Sequence, residues 1–209
     1  KYGFLTAGTA ELKIPDIVNV RGRDCYLITS EMHSNDFISK LITVRDTVFT
    51  LVDTAGLFPW YFEKHIKQGK HRDDKIVIFD HPNGVLYENG KTFEIEPFTQ
   101  DVLSIFYLLR VLDIKVGQNI DIRNFADGKY YPMEVHVLGK EKVKTSAGLY
   151  ECFRIKPVYT GTPEYKPKGD LELWLSTDRR RLPVRIKSRI AVGSITMDLR
   201  STRRTLNEQ

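Results

Sequence analysis

Most of the chain alternates apolar and polar side chains in short runs, the pattern of half-buried β-strands. The clearest run covers residues 183–192. It predicts an antiparallel strand with two different faces. The buried residues are Val184, Ile186 and Ile190, and the exposed ones are Arg185, Lys187 and Arg189. Similar alternation covers "AELKI" (10–14), "YPMEVHV" (131–137) and "SITMDLR" (194–200), whereas "LELWL" (171–175) and "KIVIF" (75–79) are apolar on both faces.

Short turn sequences separate these runs. Asn83-Gly84, Asn89-Gly90 and Asp127-Gly128 supply residues that tolerate the positive φ of tight hairpin turns. Closely spaced turns favour hairpins over long crossovers, and the chain has roughly ten strand-like runs. We therefore predict a mainly β protein: a single antiparallel barrel or half-barrel of roughly ten strands over residues 1–200, followed by a polar tail at 201–209.

One segment has a different pattern. Residues 102–114 are apolar or aromatic except at Ser104, Arg110 and Asp113. This predicts a helix over about 99–113, capped by Thr99, and a helix that is apolar nearly all round must be buried. We expect Phe106 and Leu109 to pack against the sheet. The helix either fills the concavity of the sheet or forms one wall of a cavity there.

An aromatic cluster surrounds a proline in "AGLFPWYFEKHI", residues 55–66. Because proline cannot sit inside a central strand, this stretch is predicted to be a loop or a strand end. Two interpretations are open: a satellite core beneath the sheet, or a rim that contacts an apolar ligand, a membrane surface or a partner. The candidate ligand-binding residues here are Phe58, Trp60, Tyr61 and Phe62.

Arg110 is a cation inside the apolar helix and needs a partner. Asp113, three residues later, lies within reach on the same helix face. The alternatives are a structural salt bridge, snorkelling to the helix edge, or a cation that grips an anionic head group at a cavity mouth. Phe106, Leu109 and Arg110 therefore complete the predicted ligand-binding set.

Charge excludes some classes of partner. The net charge is +5, from 32 basic and 27 acidic residues, with the two signs interleaved. A nucleic-acid binder usually clusters its basic residues on one element, whereas the cluster Arg179–Arg181 is expected in a solvated turn. We predict no nucleic-acid partner. We also predict no transmembrane segment, because no apolar run approaches the roughly 20 residues that a spanning helix needs.

Motifs of catalysis and metal binding are absent from the sequence. The five histidines lack zinc-protease spacing, and there is no G-x-S-x-G elbow, glycine-rich phosphate loop or C-x-x-C. Residues 71–74, His-Arg-Asp-Asp, have metal-ligand types but are expected to form a solvated turn. We predict a protein that is not an enzyme, with no metal and no cofactor.

Two cysteines, Cys25 and Cys152, leave the cellular compartment open. They could form one disulfide in an exported protein or remain two separate buried thiols. The chain begins with Lys1 rather than Met, and we expect that a signal peptide has been removed upstream of it.

Four segments together resemble an exported bacterial family, domain of unknown function 3108. They are "LITVRDTVFTLVD" (41–53), "TQDVLSIFYLLR" (99–110), "GKEKVKTSAGLYECFRIKP" (139–157) and "LWLSTDRRRLPVRIK" (173–187). The resemblance covers nearly the whole chain and implies a periplasmic or otherwise exported envelope protein with a barrel-like fold. Through that fold it is more distantly similar to the periplasmic lipoprotein carriers, which hold acyl chains in a half-barrel. The resemblance supplies no catalytic residues.

Three functions follow in order of preference. The first is a non-enzymatic envelope protein that binds an apolar ligand, such as a lipid, between the sheet and the helix. The second is a scaffold with a filled barrel that docks another envelope protein. The third, a hydrolase or sugar-modifying enzyme, is a minor alternative because no catalytic motif supports it.

Overall fold

The computed structural model describes residues 6–161, 170–189 and 194–203. Within these ranges the chain forms thirteen strands and two helices. The prediction of a mainly β, antiparallel protein is confirmed. The prediction of a single barrel is wrong, because the described strands form two open sheets of seven and six strands. They belong to two compact units; the first runs to Ser104 and the second begins at Ile105.

The first unit contains a seven-stranded sheet in which every strand pairs with its neighbour along the chain. Short hairpins of the kind that the sequence predicts produce this order, and all the pairs are antiparallel. A short helix, α1, lies between the second and third strands. The elements are β1 (Gly8–Val20), β2 (Arg23–Ser34), α1 (Asp36–Ser39), β3 (Val44–Asp53), β4 (Pro59–Gln68), β5 (His71–Asp80), β6 (Val85–Glu88) and β7 (Lys91–Glu94).

The turn chemistry accounts for these hairpins. Asn89 and Gly90 have φ of 48° and 79° between β6 and β7, and Asp127 and Gly128 have 51° and 73° in the second unit. Two successive positive φ values match the right-handed twist of the flanking strands. The expected turn at residues 71–74 is wrong, because His71 already begins β5 after the tight turn at Gly69.

One face of the seven-stranded sheet is buried. Ile28, Thr50, Phe62 and Val77 lie directly opposite one another on β2, β3, β4 and β5. All four are buried. Because directly paired residues of antiparallel strands point to the same side, this cross-strand row defines the inner face of the sheet.

The second unit contains a six-stranded sheet and most of the helix α2 (Ser104–Val111). Its strands also pair in chain order, from β13 at one edge to β8 at the other. They are β8 (Asn119–Ala126), β9 (Lys129–Thr145), β10 (Gly148–Tyr159), β11 (Asp170–Ser176), β12 (Pro183–Arg189) and β13 (Ser194–Asp198). Leu109 of α2 packs into a core that includes Val135, Phe153 and Leu175.

The helix is shorter than the predicted 99–113, although it is the longest helix among the described residues. Gln100 forms an isolated bridge and residues 102–103 form a turn, so the helix begins only at Ser104. Asp101, not Thr99, caps the helix through its side chain. The predicted burial of Leu109 is confirmed at 2% exposure, whereas Phe106 is only partly buried.

The strand predicted over 183–192 appears as β12, and its alternation is partly retained. Val184 is buried and Arg189 is exposed, as predicted. Ile186, Arg185 and Lys187 are half-buried. The Arg185 guanidinium forms two hydrogen bonds, of 2.6 and 2.8 Å, with Asp198 on β13, and this neighbour shields it.

Some predictions fall outside the described residues. Ile190 is one of them, and so is most of the predicted tail at 201–209. The tail residues that are described, 201–203, belong to no strand or helix.

Candidate functional site

An apolar row crosses the outer face of the seven-stranded sheet. It consists of Leu27, Leu51, Tyr61, Ile78 and Tyr87, which lie directly opposite one another on β2 to β6. Leu27, Leu51 and Tyr61 are half-buried. Ile78 and Tyr87 are 46% and 44% exposed. Five adjacent strands therefore present one continuous apolar band.

A second register position widens this band. Phe49 and Ile76 both face Glu63 on β4, one from each side. Phe49 also stacks on Tyr61 with ring centroids 5.7 Å apart, and Ile76 is as exposed as its neighbour Ile78. The apolar row is thus part of a patch, not a line of isolated side chains.

Such a patch is costly to leave in water. Complete burial of one aliphatic or aromatic side chain is worth about 1.5–3 kcal/mol relative to exposure. Single exposed apolar residues are normal on protein surfaces, but contiguous patches mark binding sites for ligands or partners. The apolar row therefore has the composition of a binding surface.

A chain of hydrogen bonds borders the row. The Tyr61 hydroxyl donates to Glu63 Oε2 at 2.5 Å, and Glu63 Oε1 lies 2.7 Å from His65 Nε2. The other ring nitrogen of His65, Nδ1, lies 2.8 Å from Asp74 Oδ1. These bonds to Asp74 and Glu63 raise the pKa of His65, because both favour the imidazolium.

The same hydrogen bonds also shift the pKa values of Glu63 and Tyr61. The hydrogen bond from Tyr61 lowers the pKa of Glu63, with a further contribution from His65. Burial, together with the bond to Glu63, raises the pKa of Tyr61 to about 12, so its hydroxyl stays protonated. The border of the apolar row therefore combines a phenol, two carboxylates and an imidazole.

The aromatic cluster predicted around residues 55–66 lies at the start of β4. Pro59 is the first residue of that strand, a position where its missing N–H costs no ladder bond. Phe58 packs on His81 at 4.5 Å and on Trp60 and Phe98 at 5.3 Å between ring centroids. This packing favours the interpretation of Phe58 as core.

The four candidate residues of this cluster differ in exposure. Phe58 and Phe62 are buried, whereas Trp60 and Tyr61 are half-buried. Tyr61 alone of the four belongs to the apolar row. The role of all four as ligand contacts stays a prediction.

Unusual backbone geometry supports the aromatic cluster. Leu57 and Phe98 have φ of 55° and 62°, a region that large side chains rarely adopt. The buried amide of Gln100 donates to the carbonyl oxygens of both residues, at 3.2 and 3.0 Å. One side chain therefore stabilises two strained turns and fixes where Phe58 and Phe98 meet.

Asp53 stabilises the adjacent corner between β3 and β4. Its carboxylate accepts hydrogen bonds from the backbone of Ala55 and Gly56 and from the Trp60 indole. Arg23 lies 3.7 Å away. Burial by itself would raise the pKa of Asp53, but these donors and Arg23 outweigh it, so the pKa is lowered.

The candidate residues of the helix lie in the second unit. Leu109 and Phe106 contribute to the core of the six-stranded sheet. Arg110 does not pair with Asp113 as expected: its guanidinium lies 5.1 Å from the Tyr107 ring centroid and donates to the Arg180 carbonyl at 3.1 Å. Asp113 instead lies 3.1 Å from Lys115. The predicted ligand set is therefore divided between the two units.

The possible disulfide between Cys25 and Cys152 is not formed. The two cysteines belong to different sheets, on β2 and β10, and each is a fully buried free thiol. Burial raises the pKa of both, that of Cys152 to about 11. Both thiols therefore stay protonated and are poor nucleophiles.

Two further properties concern ions and membranes. Among residues 6–161, 170–189 and 194–203, no three His, Cys, Asp or Glu side chains are placed to hold a metal ion. In the same part of the chain, neither helix has the length and apolarity needed to cross a bilayer.

Most of the apolar row was not predicted from the sequence. Tyr61 was a predicted site residue, whereas Leu27, Leu51, Ile78 and Tyr87 were not. A signal was present in "KIVIF", whose Ile76 and Ile78 alternate with the buried Val77 and Phe79. A strand that is apolar on both faces needs cover on both faces.

Comparison with known proteins gives the family and the fold. Among curated proteins, none matches the chain. A DUF1089 family protein from Pseudomonas aeruginosa, known from its crystal structure, is similar with a TM-score of 0.50 over 88% of this chain and 90% of that one. At 12% identity, this likeness shows a shared fold alone. The family DUF3108, described as a protein of unknown function, matches residues 1–200, and the chain therefore belongs to this family.

Proposed function

We propose that the protein is a non-enzymatic binding protein that holds an apolar ligand of the lipid class on the apolar row. The exposure of Ile76, Ile78 and Tyr87 side by side on one sheet face carries this proposal. The sequence alone placed the ligand between the sheet and the helix. We move it to the outer face of the first sheet, since Leu109 is already covered by the core of the second.

The dimensions of the row suit an extended chain. Neighbouring strands lie about 4.8 Å apart, so the four intervals from β2 to β6 span about 19 Å. An acyl chain lying across the strands would contact Leu27, Leu51, Tyr61, Ile78 and Tyr87 in turn. The hydrogen-bonded side chains of Glu63, His65 and Asp74 would then lie beside the ligand and limit its sideways position.

The chemistry of the candidate nucleophiles and bases supports binding over catalysis. Both thiols are buried and protonated. Burial lowers the pKa of His81, and its Nε2 is engaged by the Pro59 carbonyl. The exposed His65 is held between two carboxylates, which disfavours the neutral form that a general base requires.

Replacing Ile78 by Asp is expected to abolish uptake of a fluorescent fatty acid while the protein stays folded. The side chain is half in solvent, so a charge there costs little in the free protein, but burying it under an acyl chain is costly. We expect at least a tenfold weaker apparent affinity, because about 1.4 kcal/mol already corresponds to that factor. Titration by fluorescence, with circular dichroism of each variant, measures both properties.

Leu149→Asp is the matched control. Leu149 lies on β10 of the second unit and is 65% exposed. The substitution therefore introduces the same charge on an exposed strand position outside the row. Equal loss of uptake in both variants, or full uptake by Ile78→Asp, contradicts the proposed site. If the unmutated protein takes up no fatty acid, the apolar row is instead a docking surface for another protein, as in the scaffold alternative.

We also propose that the protein is exported to the bacterial envelope, as its resemblance to the family implies. Fractionation of cells that express the full natural reading frame tests this location. Recovery with periplasmic or membrane markers supports it, and recovery with cytoplasmic markers contradicts it.

A further inference from the structure

Asp101 is a buried acid of the first unit, close in sequence to the start of α2. Its residue is 1% exposed, and it lies three positions before Ser104, where the first unit ends and α2 begins. A carboxylate in such a place loses nearly all of its hydration, which costs several kcal/mol unless partners replace the water.

One oxygen of this carboxyl group caps α2. Asp101 Oδ1 accepts hydrogen bonds from the backbone N–H groups of Leu103 and Ser104, at 2.7 and 2.8 Å. In return, the Ser104 hydroxyl accepts a bond of 3.0 Å from the Asp101 N–H. This reciprocal arrangement is a capping box with Asp and Ser in the two roles. It accounts for the spacing of Asp101 and Ser104 in the sequence.

The other oxygen reaches the sheet. Asp101 Oδ2 lies 2.6 Å from Oγ1 of Thr50 on β3, and the same Oγ1 lies 2.9 Å from the carbonyl oxygen of Tyr61 on β4. A threonine hydroxyl has a single hydrogen to donate. The Tyr61 carbonyl has none, so both contacts are hydrogen bonds only when Asp101 carries a proton on Oδ2 and donates it to Thr50.

Within the described part of the chain, the hydrogen-bond partners of the Asp101 carboxyl group are neutral groups: the Thr50 hydroxyl and the backbone N–H groups of Leu103 and Ser104. The charged side chains that share the sheet face of Thr50 on β2 to β6 are Asp24, Asp46, Lys64, Asp73, Lys75 and Glu88. Within this set Lys64 pairs with Asp73 and Lys75 with Glu88. The segment between β7 and α2 carries Glu96, and α2 carries Arg110. The pKa of Asp101 depends on burial and on its neutral hydrogen-bond donors, not on these charges.

We propose that Asp101 is a proton-dependent link between β3 and the start of α2. In the protonated form, Asp101 Oδ2 donates to Thr50 Oγ1 and Thr50 donates to the Tyr61 carbonyl. When the proton leaves to bulk water, the Thr50 hydroxyl turns to the carboxylate and the Tyr61 carbonyl loses this donor. The segment from Asp101 to Ser104 is therefore bound to β3 more firmly under mildly acidic conditions than at neutral pH.

The direction of the pH effect follows from the titration of this group. Burial raises the pKa of Asp101 to about 6, although the hydrogen bonds from Thr50, Ser104 and Leu103 oppose the shift. Because the folded state binds the proton more tightly than the unfolded chain, the stabilising contribution is complete below the unfolded pKa. It is lost as pH rises toward the folded pKa and stays lost above it.

Asp101→Asn tests the proposal because the amide imitates the protonated acid. Its oxygen accepts from Leu103 and Ser104, and its NH₂ donates to Thr50. Relative to this variant, the folding equilibrium constant of the unmutated protein is expected to fall about 100-fold between about pH 3 and about pH 7, a tenfold change for each unit of pKa shift. Chemical denaturation at a series of pH values measures this ratio.

Asp53→Asn is the control, since the pKa of Asp53 is lowered. That substitution is expected to weaken the fold most at neutral pH, with the difference fading as the solution becomes acidic. Carbon-13 NMR of the Asp101 carboxyl group provides a second, direct readout. A shift that titrates near pH 6 supports the proposal. Titration below pH 4, or a stability ratio between Asp101→Asn and the unmutated protein that does not vary with pH, overturns it.

Discussion

Replacing Leu109 by Ala is expected to lower the free energy of unfolding of the second unit by about 2–5 kcal/mol. Leu109 is 2% exposed and packs among Ile122, Val135 and Leu175 at the centre of that core. Removing three carbon atoms there loses the favourable free energy of transferring them from water into the core. It also leaves a cavity that the surrounding structure fills only partly. The size of the loss depends on how far the neighbouring side chains relax.

The tryptophans allow this loss to be assigned to one unit. Trp60 lies in the first unit and the buried Trp174 in the second, and the sequence contains no others. In a Trp60→Phe background, denaturation followed by fluorescence therefore reports on the second sheet. Val111→Ala on the same helix is the control, because Val111 is 60% exposed and its truncation is expected to cost under about 0.5 kcal/mol. Equal effects of the two substitutions would mean that α2 does not contribute to the core.

Phe58→Ala is expected to destabilise the first unit by about 3–5 kcal/mol. The ring is 8% exposed and contacts Trp60, His81 and Phe98, and its removal also releases the neighbouring strained residue Leu57. Phe58→Asp is expected to be worse, because the charge would be buried without a partner.

Denaturation in a Trp174→Phe background measures the effect through Trp60. Phe37→Ala is the matched control: Phe37 lies on α1 of the same unit and is 59% exposed. A loss under about 1 kcal/mol for Phe58→Ala, with fatty-acid uptake abolished, would instead assign Phe58 to a ligand rim, the other interpretation of this cluster.

Local features of the fold could be predicted from the sequence because local chemistry determines them. Asn89-Gly90 and Asp127-Gly128 adopt positive φ at both positions, as hairpins of this type require. Val135 and Val137 are buried on alternate positions of β9. In both cases a few neighbouring residues contain the whole signal.

The division into two sheets could not be predicted in this way. The same alternation describes a strand in a barrel and a strand in an open sheet, and only long-range pairing distinguishes them. The start of α2 could not be predicted for a similar reason. Thr99 and Asp101 are both good capping residues, and the choice between them depends on Thr50, which is 51 residues away from Asp101 in sequence.

The candidate site was found only in part for the same reason. Tyr61 was identified from the aromatic residues around it. The apolar row exists only because five strands place their apolar residues in one register, and that register depends on hairpin lengths and on a bulge between Leu51 and Val52. Single-strand periodicity contains no information on which residues lie opposite one another.

Photo-crosslinking with a fatty acid that carries a diazirine on its acyl chain, followed by peptide mass spectrometry, tests the binding proposal most directly. Adducts are expected on β4, β5 and β6, at Tyr61, Ile76, Ile78 and Tyr87, and unlabelled fatty acid should compete them away. Adducts confined to the second unit, or labelling that excess unlabelled fatty acid does not reduce, would contradict a ligand site on the apolar row.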